Sequence, residues 1–280
     1  MPSADANRIN TIIQGLQTLQ ALKGLNTQLG MTQLRLATGK RITEVADDAA
    51  GFTIAKNFEA RARGLSVALD NVGQAKNLLS IAEGGLQNIS NILVTMREKV
   101  TQAASDTLGT NERNAIETQL DDLAAEINNI VTETTFNGVA LLDGTYTGKV
   151  FQTGANAADS FSFGITQNAG ASSLTVADSD LVVSTAANAT SSLAKVNTAI
   201  DTINNALQSI GSTTARLTVK ESTLSVAITS TESARSRILD ADVAREQLEA
   251  TKLQILQQLA TAQLAQANSA SSSILALFRQ

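Results

Sequence analysis

The chain has 280 residues, a formal net charge of −5, and no His, Cys or Trp. Without His and Cys there is no ordinary general base at neutral pH, no thiolate nucleophile, no disulfide and no sulfur-ligated metal, which leaves only carboxylate or lysine chemistry. Aromatic residues make up 3% of the chain and its one Pro stands at position 2, so a thick aromatic core is missing and long helices run without interruption. No basic stripe offers a nucleic-acid footprint, and no run approaches the roughly 18 apolar residues of a membrane span. The N-terminus lacks the basic and apolar regions of a cleaved secretory signal. Neither nucleic-acid binding nor membrane insertion is expected, and no cofactor site is visible.

The first predicted element is an N-terminal helix with an apolar stripe at Ile9, Ile12, Leu16, Leu19, Leu22, Leu25 and Leu29. Between Arg8 and Arg35 the only charge is Lys23. A solvated helix normally carries Glu and Lys on its outer face, so a helix this poor in charge suits burial among other helices. The paired acids Asp47-Asp48 follow. Adjacent residues on a helix do not face each other, so capping, or pairing with Arg41 or another subunit's Arg, outweighs a catalytic reading, and the same holds for Asp121-Asp122 and Asp240/Asp242.

A heptad pattern then runs through Leu79, Ala82, Leu86, Ile89, Leu93, Met96 and Val100. Gly84-Gly85 falls inside it, where each Gly costs about 1 kcal/mol relative to Ala. A second pattern occupies Ile116, Leu120, Leu123, Ile127 and Ile130. From Phe136 to about Ser191 the texture changes to Gly, Ser, Thr, Ala and Asn. There Lys149-Val150-Phe151 and Phe161-Ser162-Phe163 read as short strands, and Asn137-Gly138, Asp143-Gly144 and Thr147-Gly148 as turns. This stretch is expected to be the most exposed and least constrained. A third seam takes in Leu193, Val196, Ile200, Ile203, Leu207, Ile210, Leu217, Leu224 and Ile228, with polar Thr214 and Glu221 at two of its positions.

The C-terminal end mirrors the N-terminal one. No charge lies between Lys252 and Arg279, and Leu253, Leu256, Ala260, Leu264, Ala267, Ile274 and Phe278 keep a helical period, with Leu277 beside them. These patterns predict a mainly α fold: an elongated antiparallel helical bundle or coiled coil, built on paired N- and C-terminal helices, with a small β-hairpin region in the middle. Ile9, Ile12, Leu16, Leu19, Leu253, Leu256, Leu264, Ile274, Leu277 and Phe278 are the predicted interface residues, because an apolar stripe on an uncharged, amide-rich helix suits burial among other protein helices on most sides.

Several motifs resemble those of bacterial flagellins. At the N-terminal side these are Leu34-Arg35-Leu36-Ala37-Thr38-Gly39-Lys40-Arg41-Ile42, then Asp47-Asp48-Ala49-Ala50-Gly51, then Thr135-Phe136-Asn137-Gly138-Val139 with Leu141-Leu142. At the C-terminal side they are Ile238-Leu239-Asp240-Ala241-Asp242, Gln254-Ile255-Leu256, Leu264-Ala265-Gln266-Ala267-Asn268 and Ile274-Leu275-Ala276-Leu277.

The resemblance implies a structural, non-enzymatic subunit of the flagellar filament used for motility. It would be secreted through the flagellum's own channel and would end up outside the cell. Residues 1–43 and 239–280 would form the filament core, 44–165 and 190–238 a helical rod with β-hairpins, and 166–189 a short variable outer segment. The implied partners are further copies of the chain, an export chaperone on the C-terminal helix, and the filament cap and junction proteins. A hook–filament junction protein of the same superfamily, and a non-polymerising coiled-coil adhesin or scaffold, are the rival readings. Flagellins are also recognised by an innate immune receptor. The matching positions here are Thr95, Lys99 and Gln119, which differ from the family's residues, whereas Arg97 belongs to a shared Arg-Glu pair. Weak receptor activation is therefore expected.

Overall fold

A computed structural model describes the backbone of residues 13–277 and the side chains of 13–269. The elements in chain order are α1 (Ile13–Thr38), α2 (Ala49–Ala103), α3 (Thr110–Glu133), β1 (Thr135–Phe136), β2 (Val139–Ala140), β3 (Lys149–Gln152), β4 (Ser160–Phe163), α4 (Ala186–Leu239) and α5 (Val243–Leu277). The fold is mainly α with two small antiparallel hairpins, as predicted. The chain divides into two compact units, residues 1–60 with 230–280 and residues 61–229.

In the second unit, α2 buries Leu65, Ala68, Val72, Ala75, Leu79, Ala82, Leu86, Ile89, Leu93, Met96, Val100 and Ala103, in unbroken gaps of three and four. The seam therefore begins two heptads before Leu79. Ala68 and Ala75 carry it there, and small side chains in a seam bring little hydrophobic signal to a sequence pattern. From α3 come Ile116, Leu120, Ala124, Ile127 and Val131. From α4 come Val196, Ala199, Ile203, Ile210, Leu217 and Leu224. Leu193 and Ile200 are only half-buried, because Ser192 and Ala199 take the innermost positions at that end of α4. Glu221 interrupts the apolar seam of α4 and pairs with Lys76 of α2 at 2.7 Å.

The hairpins cap this core. Asn137 and Gly138 both have positive φ, 50° and 78°, the two-residue turn whose twist suits antiparallel strands, and it joins β1 to β2. In the second hairpin Phe151 stacks on Phe163 with ring centroids 4.9 Å apart, and the Arg216 guanidinium lies over Phe161 at 4.7 Å.

The segment 166–185 differs from the expected outer elaboration. Leu174, Val176, Leu181 and Val183 are buried in the same core as the helical seams. Its backbone is tied down as well: Ala171 N–H donates to the Asn128 side chain at 3.0 Å, and Ala169 N–H to the Leu142 carbonyl at 2.8 Å. Its Ser- and Ala-rich composition hid four apolar side chains spaced to insert inward. We call it the strap.

The two adjacent glycines of α2 have different roles. A Cβ on Gly85 would stand 2.7 Å from the Thr134 hydroxyl and 2.8 Å from a Leu142 methyl, whereas one on Gly84 would meet nothing within 4 Å. Close approach of the chain around Thr134 requires the first; only helix propensity bears on the second. Gly85→Ala should therefore lower the melting temperature, at a cost of about 1–3 kcal/mol from overpacking. Gly84→Ala should raise it, by up to about 1 kcal/mol of helix propensity. Thermal denaturation of both variants checks this, and equal shifts would contradict it.

Candidate assembly surface and the junction beneath it

Helices α1 and α5 form the paired ends of the first unit. Gln257 donates to the Asn26 side-chain oxygen at 2.7 Å, and Arg35 reaches Glu246 at 3.9 Å. Numbers rise along one helix as they fall along the other, so the pair is antiparallel. Its contact line buries Leu29 and Thr32 from α1, and Ala250 and Leu253 from α5. Ala260, Leu264 and Ala267 continue it half-buried.

The remaining apolar side chains of the pair lie open. On α5, Leu248 is 74% exposed and Leu259 57%, with Ile255 between them, so spacings of seven and four define a second stripe. On α1, Leu16 is 58% exposed, and Ile13, Leu19, Met31 and Leu34 are exposed with it.

The predicted interface residues therefore separate. Leu253 and Leu264 face the intramolecular pair, Leu16 and Leu19 are open, and Leu256 lies at the margin at 36%. Ile274 and Leu277 fall within α5, but their side chains lie outside the described residues, as do Ile9, Ile12 and Phe278 altogether. One stripe per helix leaves out Leu248, Ile255 and Leu259, which the structure shows exposed on α5. Their mutual spacing was the available signal.

Beneath the pair, two motifs nearly 200 residues apart meet. Arg41 N–H donates to the Leu239 carbonyl at 2.7 Å, and Ala241 N–H to the Gly39 carbonyl at 2.9 Å. The Arg41 guanidinium donates to the Ile238 carbonyl at 2.8 Å, and Ile42 is fully buried beside them. These bonds fix where α1 ends relative to where α5 starts.

The carboxylates here are structural. Asp48 accepts from Gly51 N–H at 2.9 Å and caps α2, while Asp242 accepts from the Ala244 and Arg245 N–H groups and caps α5. Asp47 accepts from the Thr43 N–H and hydroxyl, each at 2.9 Å, and from Glu44 N–H. The Thr43 amide foremost, then its hydroxyl, the Glu44 amide and the Arg35 charge, hold this carboxyl below the usual range. Its ion pair is with Arg35 at 3.9 Å and not with Arg41, whose guanidinium is committed to the backbone.

Asp121 departs from the capping or Arg-pairing expected of it. Burial first, then Asp178, Glu117 and Asp122, push its carboxyl up to about 6. One of its oxygens is buried without a hydrogen-bond partner. Among the receptor-matched positions, Thr95, Arg97 and Gln119 are exposed and Lys99 is half-buried. No group of His, Cys, Asp or Glu among the described residues is arranged to hold a metal ion.

Two family models account for most of the chain: the bacterial flagellin N-terminal helical region over residues 9–147, and the bacterial flagellin C-terminal helical region over residues 193–278. The chain belongs to the bacterial flagellin family. Flagellin of Bacillus subtilis is 33% identical over 97% of this chain and 100% of its own, and flagellin FlaB1 of Treponema pallidum is 31% identical over 97% and 99%. A solved structure from Vibrio parahaemolyticus, provisionally described as a flagellar hook-associated protein, aligns with 69% of this chain and all of its own at a TM-score of 0.60. At 16% identity that likeness shows the fold alone. This flagellin is thus a structural protein, a self-assembling subunit of the flagellar filament. The N-terminal region contains α1 and the 39–42 side of the junction, and the C-terminal region contains α5 and the 238–242 side.

The shift at Asp121 has a defined sign. Its folded value of about 6 lies above the ordinary 3.8, so the stability it lends is complete below about pH 4 and lost as pH rises through 6. Asp121→Asn removes that loss. The variant should be more stable than the parent at pH 7.5 by about 1–2 kcal/mol, allowing for its partial exposure to solvent, and equal to it near pH 3.5. Melting curves at the two pH values check this, and a gain independent of pH would contradict it.

Proposed function

We propose that this flagellin polymerises through the open apolar faces of α1 and α5, with Leu16, Leu19, Leu248, Ile255 and Leu259 covered by neighbouring copies. The observation that carries this reading is the second stripe of α5, which has no covering element among the described residues. Each such half-exposed Leu or Ile gains about 1 kcal/mol when a partner covers it, so several act together to offset the cost of association. Ile9, Ile12, Leu256, Ile274, Leu277 and Phe278 join the proposed interface on their sequence spacing.

On this reading, residues 1–43 and 239–280 make the filament core. Residues 44–165 and 190–238 make the surrounding rod, and within the segment 166–189 the strap, 166–185, packs into it. Before assembly the C-terminal helix is the element that an export chaperone covers, and a filament cap receives the chain outside the cell. Junction proteins with similar terminal helices continue the same packing at the filament base. An uncharged, amide-rich helix with an apolar stripe supports these roles, since in isolation it holds little structure and aggregates through its apolar face.

Two substitutions separate assembly from pairing. Ile255→Asp with Leu259→Asp should leave the monomer folded and abolish filaments seen by electron microscopy. Leu253→Asp should instead unpair α5 from α1, read as lost helical signal in the free chain. Removing about the last 25 residues should give a soluble monomer with an intact 61–229 unit, and filaments from that truncation would overturn the reading.

The divergence at Thr95, Lys99 and Gln119 supports weak or absent activation of the innate immune receptor. Reporter cells given purified monomer at low concentration test this, and strong stimulation would contradict it.

A further inference from the structure

Apart from the apolar stripes, the described residues of the first unit form a groove lined by cations. It has a volume of about 300 Å³ and is lined by Lys40, Lys56, Arg235 and Glu59 around an apolar floor that includes Phe52 and Leu239. Three cations stand there against two carboxylates, Glu59 in the lining and Glu232 paired with Arg235, and the excess positive charge is that of Lys40. Lys56 is paired with Glu59 at 2.9 Å and Arg235 with Glu232 at 2.8 Å, while Lys40 is exposed. The Arg235 Nε is buried and donates to nothing, which leaves a charged donor short of an acceptor.

The same chain holds the complementary surface. Glu117, Asp121 and Asp122 of α3 crowd against Asp178 of the strap. None of the four has a cationic partner among the described residues, and Asp122 and Asp178 are exposed. The elevated Asp121 carboxyl reports the same shortage of positive charge.

We propose that the groove at Lys40, Lys56 and Arg235 is a second contact between copies, receiving the Asp122 and Asp178 carboxylates of a neighbouring chain. The proposal rests on the assembly reading above and adds a site to it. A helical polymer that does not close needs unlike, mutually complementary patches on each copy, and an acidic projection meeting a basic groove is such a pair. Charge pairs of this kind fix register and exclude wrong partners more than they add affinity, which suits a contact secondary to the apolar stripes.

The test uses the full chain, grown from monomer onto filament seeds, and measures the monomer left at the plateau. Lys40→Glu with Lys56→Glu, and separately Asp122→Lys with Asp178→Lys, should each raise that concentration at least about tenfold. An equimolar mixture of the two reversed chains should assemble at nearly the parent's plateau, because each groove then finds an opposite charge on the other chain. Circular dichroism establishes that each chain is folded. If a reversed chain is not, Lys40→Gln with Lys56→Gln and Asp122→Asn with Asp178→Asn take its place, with a rise of about threefold expected.

A parent-like plateau for the altered chains overturns the proposal while leaving assembly through the stripes standing. So does a mixture of the reversed chains no better than either alone. A parent chain that forms no filament removes the assembly reading, and this inference with it.

Discussion

Helix α5 has two apolar faces and, within its own chain, one partner. Helix α1 covers the line from Ala250 through Leu253 towards Leu264, and the face at Leu248, Ile255 and Leu259 remains in water. Adding Glu and Lys to that face would solve the problem for a monomer, but from Leu253 to Leu277 the helix carries no charge. A surface so composed is stable only when another protein surface meets it, and the most available protein is another copy. The absence of charge and the presence of a second stripe are thus one feature with one consequence.

That consequence depends on the helices being presented together, which is the work of the junction. Backbone bonds between 39–42 and 239–241, the Arg41 guanidinium on Ile238, and the caps at Asp48 and Asp242 set where each helix begins and ends. The acids of these motifs accept backbone N–H groups, so they are spent on local geometry and leave little for chemistry. In the 61–229 unit a different device operates, in which heptad seams of three helices close around each other and the hairpins and strap seal the core. Gly85, Arg216 and the Lys76–Glu221 pair are the points where that packing departs from a plain seam.

Much of this was legible in the amino-acid sequence, and the failures have physical reasons. The long seams were readable because Leu, Ile and Met at gaps of three and four leave few alternatives, whereas the extension through Ala68 and Ala75 was not, since alanine signals helix without signalling a face. Asn137-Gly138 announced its turn because few other residues tolerate two successive positive φ angles. The strap was misjudged from composition, when the placing of Leu174, Val176, Leu181 and Val183 mattered more. Asp121 could not be distinguished from a capping acid, because its neighbour Asp178 arrives from a segment 57 residues further on. The open stripe of α5 is hard to read because a single helical period accounts for Leu253, Leu256 and Leu264 and leaves the row at Leu248, Ile255 and Leu259 without a pattern of its own.

Amide hydrogen exchange compared between the free chain and the filament bears most directly on the unpaired faces. Amides of α1 and α5 should exchange readily in the free chain and gain protection of at least about a hundredfold on polymerisation, while the innermost amides of α2 and α4 change little. Terminal helices already as protected in the free chain as in the filament would contradict it.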